Sequence, residues 1–212
     1  MEINKLLSSL HKVYLDPKTE LASWKNPIQF MVSVILSAQA TDVGVNKATP
    51  KLFEKYVTAK DFANTDIKEL TEYVKSINFY NSKAERIIKA CKYIEENLDG
   101  GLPPHIDALI KIPGIGRKSA NVLIYEALDG SPQGIVVDTH MIRVTNRLGL
   151  TKYVDQKDAE KAEKDLMDII PQNEWKFFSS AIVLHGRYVC KAKKPKCEEC
   201  VLNKICPSAF KV

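Results

Sequence analysis

The chain has 212 residues, long enough to bury a substantial core without disulfides. Its longest apolar run, FMVSVILSA, is about half of the roughly 18 residues a membrane span needs, which argues against a membrane-embedded function. The net charge is +5, and seven basic against two acidic side chains lie beyond residue 186, so the excess belongs to the tail and points to a polyanionic partner or to a solvated face.

In chain order, the opening MEINKLLSSLHKVY spaces Ile3, Leu6, Leu7, Leu10, Val13 and Tyr14 as one face of a helix and lacks the layout of a secretory signal. A reducing, cytoplasmic setting is therefore expected, with cysteines serving as metal ligands or core thiols. Helical periodicity continues nearly everywhere and predicts helices at about 2–15, 27–39, 43–56, 66–76, 81–98, 105–111, 117–129, 139–149, 156–170 and 173–188. Asn81-Ser82, Asp138-Thr139 and Asp155 read as helix starts, and DGGLPP at 99–104 as a stop. Only GIVV at 134–137 hints at extended chain, so the fold class is all-α.

Cys190, Cys197, Cys200 and Cys206 follow the spacing C-x6-C-x2-C-x5-C. Tetrahedral zinc usually takes two closely spaced pairs, whereas one CxxC with wide arms suits the separated corners of a cubane cluster, so the spacing favours iron–sulfur over zinc. Cys91, inside an amphipathic helix, reads as an inert core thiol. Between the first two ligands runs KAKKPK, with Lys191, Lys193 and Lys194. Anchored at both ends by a metal, it would form a platform for a phosphate backbone; the plainer role is to keep a cluster loop soluble.

HIDALIKIPGIGRKSANVLIYEAL reads as helix, hairpin, helix. Gly114 and Gly116 permit a tight turn and close approach of a ligand, and the N–H groups opening the second helix favour an anion. A phosphate backbone gripped there, beside Arg117, would be held irrespective of base sequence. Ala120, Leu123, Ile124, Ala127 and Leu128 form one stripe of that helix and Lys118, Val122 and Tyr125 the opposite one. Apolar residues on both faces imply a helix enclosed on two sides, with Lys118 beside a crevice. Burial, the helix N-terminus and Arg117 would each disfavour a charged amine, as nucleophilic lysines require; the alternative is a phosphate-binding lysine. Asp138 would cap the next helix and could also assist proton transfer, while His140 is either structural or a backbone contact.

LPPHIDALIKIPGIGRKSANV, VDTH, LSAQATD, NKAT, YNSKA, LHGRY and the cysteine tail together resemble the endonuclease III family of base-excision-repair DNA glycosylases, from about residue 20 to 206. The resemblance implies two helical domains: a six-helix barrel domain at 22–132 with the helix-hairpin-helix, and a four-helix iron–sulfur domain of 1–21 and 133–212 carrying a [4Fe–4S] cluster on the four cysteines, with the active site in the cleft between them. It implies a bifunctional enzyme that removes oxidised pyrimidines from double-stranded DNA through a Schiff base of Lys118, assisted by Asp138, and cleaves 3′ to the abasic site by β-elimination. Gln39 matches the residue that fills the vacated space, and Phe79 stands where the family often has leucine in a second wedge. A monomer associated with the nucleoid of a prokaryote is the expected setting. The adenine glycosylase of the same superfamily needs a glutamate where this chain has Val34 and lacks the lysine at 118, and retention of Lys118 also disfavours a thymine mismatch glycosylase. A non-catalytic DNA-binding iron–sulfur module is the reading from another class.

Overall fold

The computed structural model describes residues 2–211. Among them are eleven α-helices and two short 3-10 turns, with no strand. The helices are α1 (Ile3–His11), α2 (Pro27–Ser37), α3 (Asp42–Lys55), α4 (Ala59–Ala63), α5 (Ile67–Val74), α6 (Tyr80–Asn97), α7 (Ile106–Leu109), α8 (Arg117–Glu126), α9 (Thr139–Arg147), α10 (Ala159–Ile169) and α11 (Trp175–Tyr188). The chain divides into two compact units, one of residues 1–18 with 132–212 and one of 19–131.

The unit of residues 19–131 is built around α2. Nine consecutive residues from Ile28 to Leu36 are buried, so this helix is apolar on every side and needs neighbours on every side. Helices α3, α6 and α8 supply them, and α4 and α5 lie on α6. One polar residue inside the core, Gln29, is accounted for by the chain end it serves. Gln29 donates from Nε2 to the carbonyls of Phe53 and Tyr56, closing the C-terminus of α3, and accepts at Oε1 from the N–H of Lys25. At the start of α2, Asn26 caps through the N–H of Gln29, with Pro27 as the first helical residue.

The sequence reading has no helix at 59–63. Five residues are too few for a hydrophobic period to show, yet Thr58 and Asp61 close a full capping box there. The start of α6 is also displaced: it begins at Tyr80, and Asn81 and Ser82 lie inside the helix instead of capping it. The residue before the helix is Phe79 in the left-handed region, φ 60°, without a side-chain cap.

In the other unit, Leu6, Leu7 and Leu10 of α1 join Met141, Ile142 and Val144 of α9, Leu166 of α10 and Phe178 and Ile182 of α11 in one core, which Leu202 of the tail enters. The apolar run at 134–137 is a buried connector, not a strand. Side chains satisfy its backbone: Ser179 Oγ accepts from the N–H of Val136, and Gln156 donates to the carbonyl of Val137.

Candidate functional site

The hairpin is formed by α7, the turn at 112–116 and α8, with Ile112 and Ile115 buried as its anchors. The two glycines differ in role. Gly114 has φ +88°, a conformation other residues adopt only with strain, and lies against the aliphatic stem of Arg86. Gly116 is extended, open to any residue by conformation, and a Cβ built there meets nothing within 4 Å. Its bare face therefore matters outward, toward whatever approaches the turn. As N-cap of α8 it brings no side-chain acceptor to the first-turn amides, which a phosphate can take instead.

Lys118 is exposed, and no hydrogen bond or ion pair holds its amine among the described residues. The sequence expectation that the protein itself buries the Lys118 amine is corrected. Tyr125 and Ala120 are buried and Val122 half-buried, but Lys118, in the first turn of α8, points its exposed side chain between half-buried Arg117 and Ser119.

Gln39 and Phe79 are both exposed and both left-handed, with φ 53° and 60°. The carbonyl of Gln39 accepts from Asn78 Nδ2 at 3.4 Å, so the two segments are neighbours. A surface hollow of about 460 Å³ opens between them, lined by Gln39, Thr41, Gly44, Ser76 and Asn78.

In the other unit, Asp138 caps α9 through Oδ1, which accepts from the N–H of Met141 at 2.8 Å; its other oxygen makes no hydrogen bond among the described residues. His140 stands half-buried in the first turn. Its Nδ1 accepts from Arg143 at 3.1 Å, which leaves Nε2 as the outward donor. Gly186 lets α11 close on this turn, since a Cβ there would lie 2.8 Å from the Cβ of His140.

Cys190, Cys197, Cys200 and Cys206 line one cavity together with Arg147, His185 and Leu202. No three His, Cys, Asp or Glu side chains among the described residues converge as the ligands of a single ion do. Burial, and after it the nearness of the other sulfurs, pushes the Cys200 and Cys206 thiols up. Four thiols lining one cavity are a donor set that fits an iron–sulfur cubane.

The surroundings of the sulfurs include residues that the sequence reading did not assign. Burial pushes His185 down to about 4 and, first among its causes, pushes the Tyr14 hydroxyl up to about 12, so both are neutral. Tyr14 Oη and His185 Nδ1 share a hydrogen bond of 3.1 Å, and His185 Nε2 and Cys200 Sγ one of 3.4 Å. Arg147 donates to Cys190 Sγ and, as a fork, to the carbonyls of Lys191 and Ala192 at 2.7 and 3.1 Å. Arg143 holds the carbonyls of Cys190 and Gly186. Two arginines one turn apart on α9 thus fix the root of the lysine loop, where Lys191, Lys193 and Lys194 are exposed. Their spacing of four was the available signal. Lys196, by contrast, is paired with Glu199.

Comparison with known proteins agrees with this arrangement. Residues 32–172 match the HhH-GPD superfamily of base excision DNA repair proteins, and residues 190–206 match the iron-sulfur binding domain of endonuclease III. A helix-hairpin-helix base-excision repair protein is therefore the class that fold and site define. The chain is 44% identical over 205 residues to endonuclease III of Synechocystis, covering 97% of this chain and 91% of that protein, and 39% identical over 208 residues to that of Escherichia coli K12, covering 98% and 96%. It superposes with TM-score 0.90 and 39% identity on a trapped endonuclease III-DNA covalent intermediate, over 98% of this chain and 95% of that one. A thermostable thymine-DNA glycosylase at 23% identity, TM-score 0.80, shares the fold. The chain belongs to the endonuclease III family. It is a base-excision-repair DNA glycosylase with AP lyase activity and a [4Fe–4S] cofactor. No described helix is long and apolar enough to cross a membrane.

Proposed function

We propose that this enzyme removes oxidised pyrimidines from duplex DNA with Lys118 as nucleophile and Asp138 as its carboxylate partner, acting as a monomer in the bacterial cytoplasm on nucleoid DNA. The observation that carries the reading is the exposed, unpaired amine of Lys118 two residues after the open face of Gly116. A DNA backbone seated on the first-turn amides of α8 brings a sugar to that amine and removes its water. Desolvation, which the sequence reading ascribes to the protein, is on this view supplied by the substrate.

The damaged base leaves the stack, a step cheaper for a lesion than for a sound pair. Gln39 and Phe79 fill and wedge the vacated space. The Lys118 nitrogen bonds to C1′ as the C1′–N bond to the base breaks, the base leaving with a proton. Asp138 accepts the proton that the amine sheds and stabilises positive charge on the sugar. The nitrogen lone pair then opens the sugar ring, forming the imine as the C1′–O4′ bond breaks and O4′ takes a proton; loss of a C2′ proton from that imine expels the 3′ phosphate as the C3′–O bond breaks, cutting the strand 3′ to the lesion. Cys190, Cys197, Cys200 and Cys206 would hold the [4Fe–4S] cluster, whose role is to crosslink the tail; Lys191, Lys193, Lys194, Arg117, His140 and the amides after Gly114 and Gly116 would contact phosphates. In domain terms this assigns the hairpin and nucleophile to residues 22–132 and the cluster and carboxylate to 1–21 with 133–212.

Asp138→Asn separates capping from catalysis. Asparagine caps about as well as aspartate, so stability should move by no more than a few tenths of a kcal/mol. The single-turnover rate of base release should nevertheless fall by about a hundredfold or more. A rate unchanged on a stable D138N protein would remove Asp138 from the mechanism.

Replacing Lys193 and Lys194 by glutamine should weaken binding to all duplexes alike and flatten the log–log salt dependence by roughly one to two. Filter binding over a salt series measures this, and an unchanged slope contradicts the phosphate platform.

A further inference from the structure

Lys83 is 3% exposed, at the end of the first turn of α6, with no carboxylate in hydrogen-bond reach among the described residues. Lysine is almost never buried in this way without a partner that repays its desolvation. Its single hydrogen bond runs from Nζ to the carbonyl of Leu36 at 2.8 Å. That carbonyl belongs to the last turn of α2, three residues before Gln39, where orphaned acceptors and the negative end of the helix favour a cation. The neighbouring acceptors are met locally: Ser37 Oγ donates to the Val34 carbonyl, and the N–H of Ala40 to that of Ser37. The chain can then leave the helix at Ala38 and turn left-handed at Gln39.

The backbone N–H of Lys83 donates to the carbonyl of Phe79 at 3.1 Å, closing the first turn of α6 on the left-handed residue that precedes it. With the bond from Asn78 Nδ2 to the Gln39 carbonyl, the contacts form a closed ring. It passes from Leu36 along the chain to Gln39, across to Asn78 and Phe79, to Lys83 and back to Leu36. Two strained residues stand on this ring, and such conformations persist where the surroundings over-determine them. One turn further along the same face of α6, the stem of Arg86 lies against Gly114 of the hairpin. Burial, with Arg86 adding to it, holds the Lys83 amine below the ordinary lysine range, yet an N–H is available to Leu36 in either protonation state.

We propose that Lys83 is a positioning residue for base displacement: by tying the end of α2 to the start of α6 it sets the separation of Gln39 and Phe79, so that the two segments enter the duplex as one rigid element. This rests on the reading of Gln39 and Phe79 as wedges. Nothing in the chemistry of Lys83 touches DNA, so its effect passes through Gln39.

The test uses the full-length, cluster-loaded enzyme and a duplex with 2-aminopurine beside an abasic-site analogue, whose fluorescence rises when the stack opens. K83M keeps the bulk and removes the donor; K83R keeps a donor; Q39A and F79A remove the wedges. Cluster absorbance and helical circular dichroism confirm folding, and if K83M does not fold, K83Q, too short to reach Leu36, replaces it. K83M is expected to slow the fluorescence rise about tenfold, with the loss in kcat more than in KM and partial rescue in K83R. The double variant K83M/Q39A should be no slower than Q39A alone. Normal kinetics in K83M beside slow kinetics in Q39A would overturn the positioning role and leave the wedges standing. Additive losses in the double variant would overturn it as well. Unaffected kinetics in both Q39A and F79A would show that the wedge reading itself is at fault, and the proposal would fall with it.

Discussion

Lys118→Gln is expected to lower strand cleavage and base release by at least about a thousandfold, a loss of roughly 4 kcal/mol of transition-state stabilisation. The size follows from the kind of step removed. Without a primary amine no imine forms, and without an imine the C2′ proton is not acidified. Solvent exposure of Lys118 makes the test clean, because an exposed side chain without partners can be changed with a stability cost within about 0.5 kcal/mol. The hairpin, with Gly114 left-handed and Ile112 and Ile115 buried, is untouched by the substitution, so binding to an abasic-site analogue should survive. Single-turnover rates and equilibrium binding on one oligonucleotide measure both. A K118Q enzyme that still nicks at more than about a tenth of the normal rate would place the nucleophile elsewhere.

Cys200→Ser should be the most damaging change to the fold. Residues 189–211 contain turns but no helix, and Leu202, 1% exposed, is their one buried side chain. A segment that buries so little apolar surface does not hold its shape by packing. Beyond Leu202 and the partly buried Val201 and Ile205, what remains are the thiols, the His185 and Arg147 bonds to them, and the backbone turns around Cys197 and Cys206. Loss of one ligand should abolish the cluster absorbance and destabilise the protein by about 4 kcal/mol or more, with the lysine loop disordered and DNA affinity falling. Absorbance, thermal melts and binding would be read on the same preparation. A C200S protein that retains its cluster and melts normally would remove Cys200 from the ligand set.

Most helices could be read from spacing because their buried faces repeat at the helical period, and the capping roles of Asp138 and Asp155 followed from residue type. Capping failed at Asn81 and Ser82, where the left-handed Phe79 starts α6 without a side-chain acceptor; a polar pair beside a helix says nothing of which residue the chain turns on. Enclosure of Lys118 was inferred from a wheel that treats a helix as uniform along its length, whereas on α8 the Lys118 face is exposed in the first turn, half-buried at Val122 and buried only at Tyr125. The hydrogen bonds of Tyr14, His185, Arg143 and Arg147 around the thiols join residues 15 to 171 positions apart, and no local pattern encodes them. Lys83 was visible only as part of YNSKA, and its meaning depends on a carbonyl 47 residues earlier.

Borohydride trapping on abasic-site DNA, followed by mass mapping of the crosslinked peptide, bears most directly on the claim that one exposed amine at the start of α8 carries the chemistry. A single deoxyribose remnant on Lys118 is expected, with no crosslink in K118Q. A remnant on any other lysine, or a K118Q protein that traps as well as the parent, would contradict it.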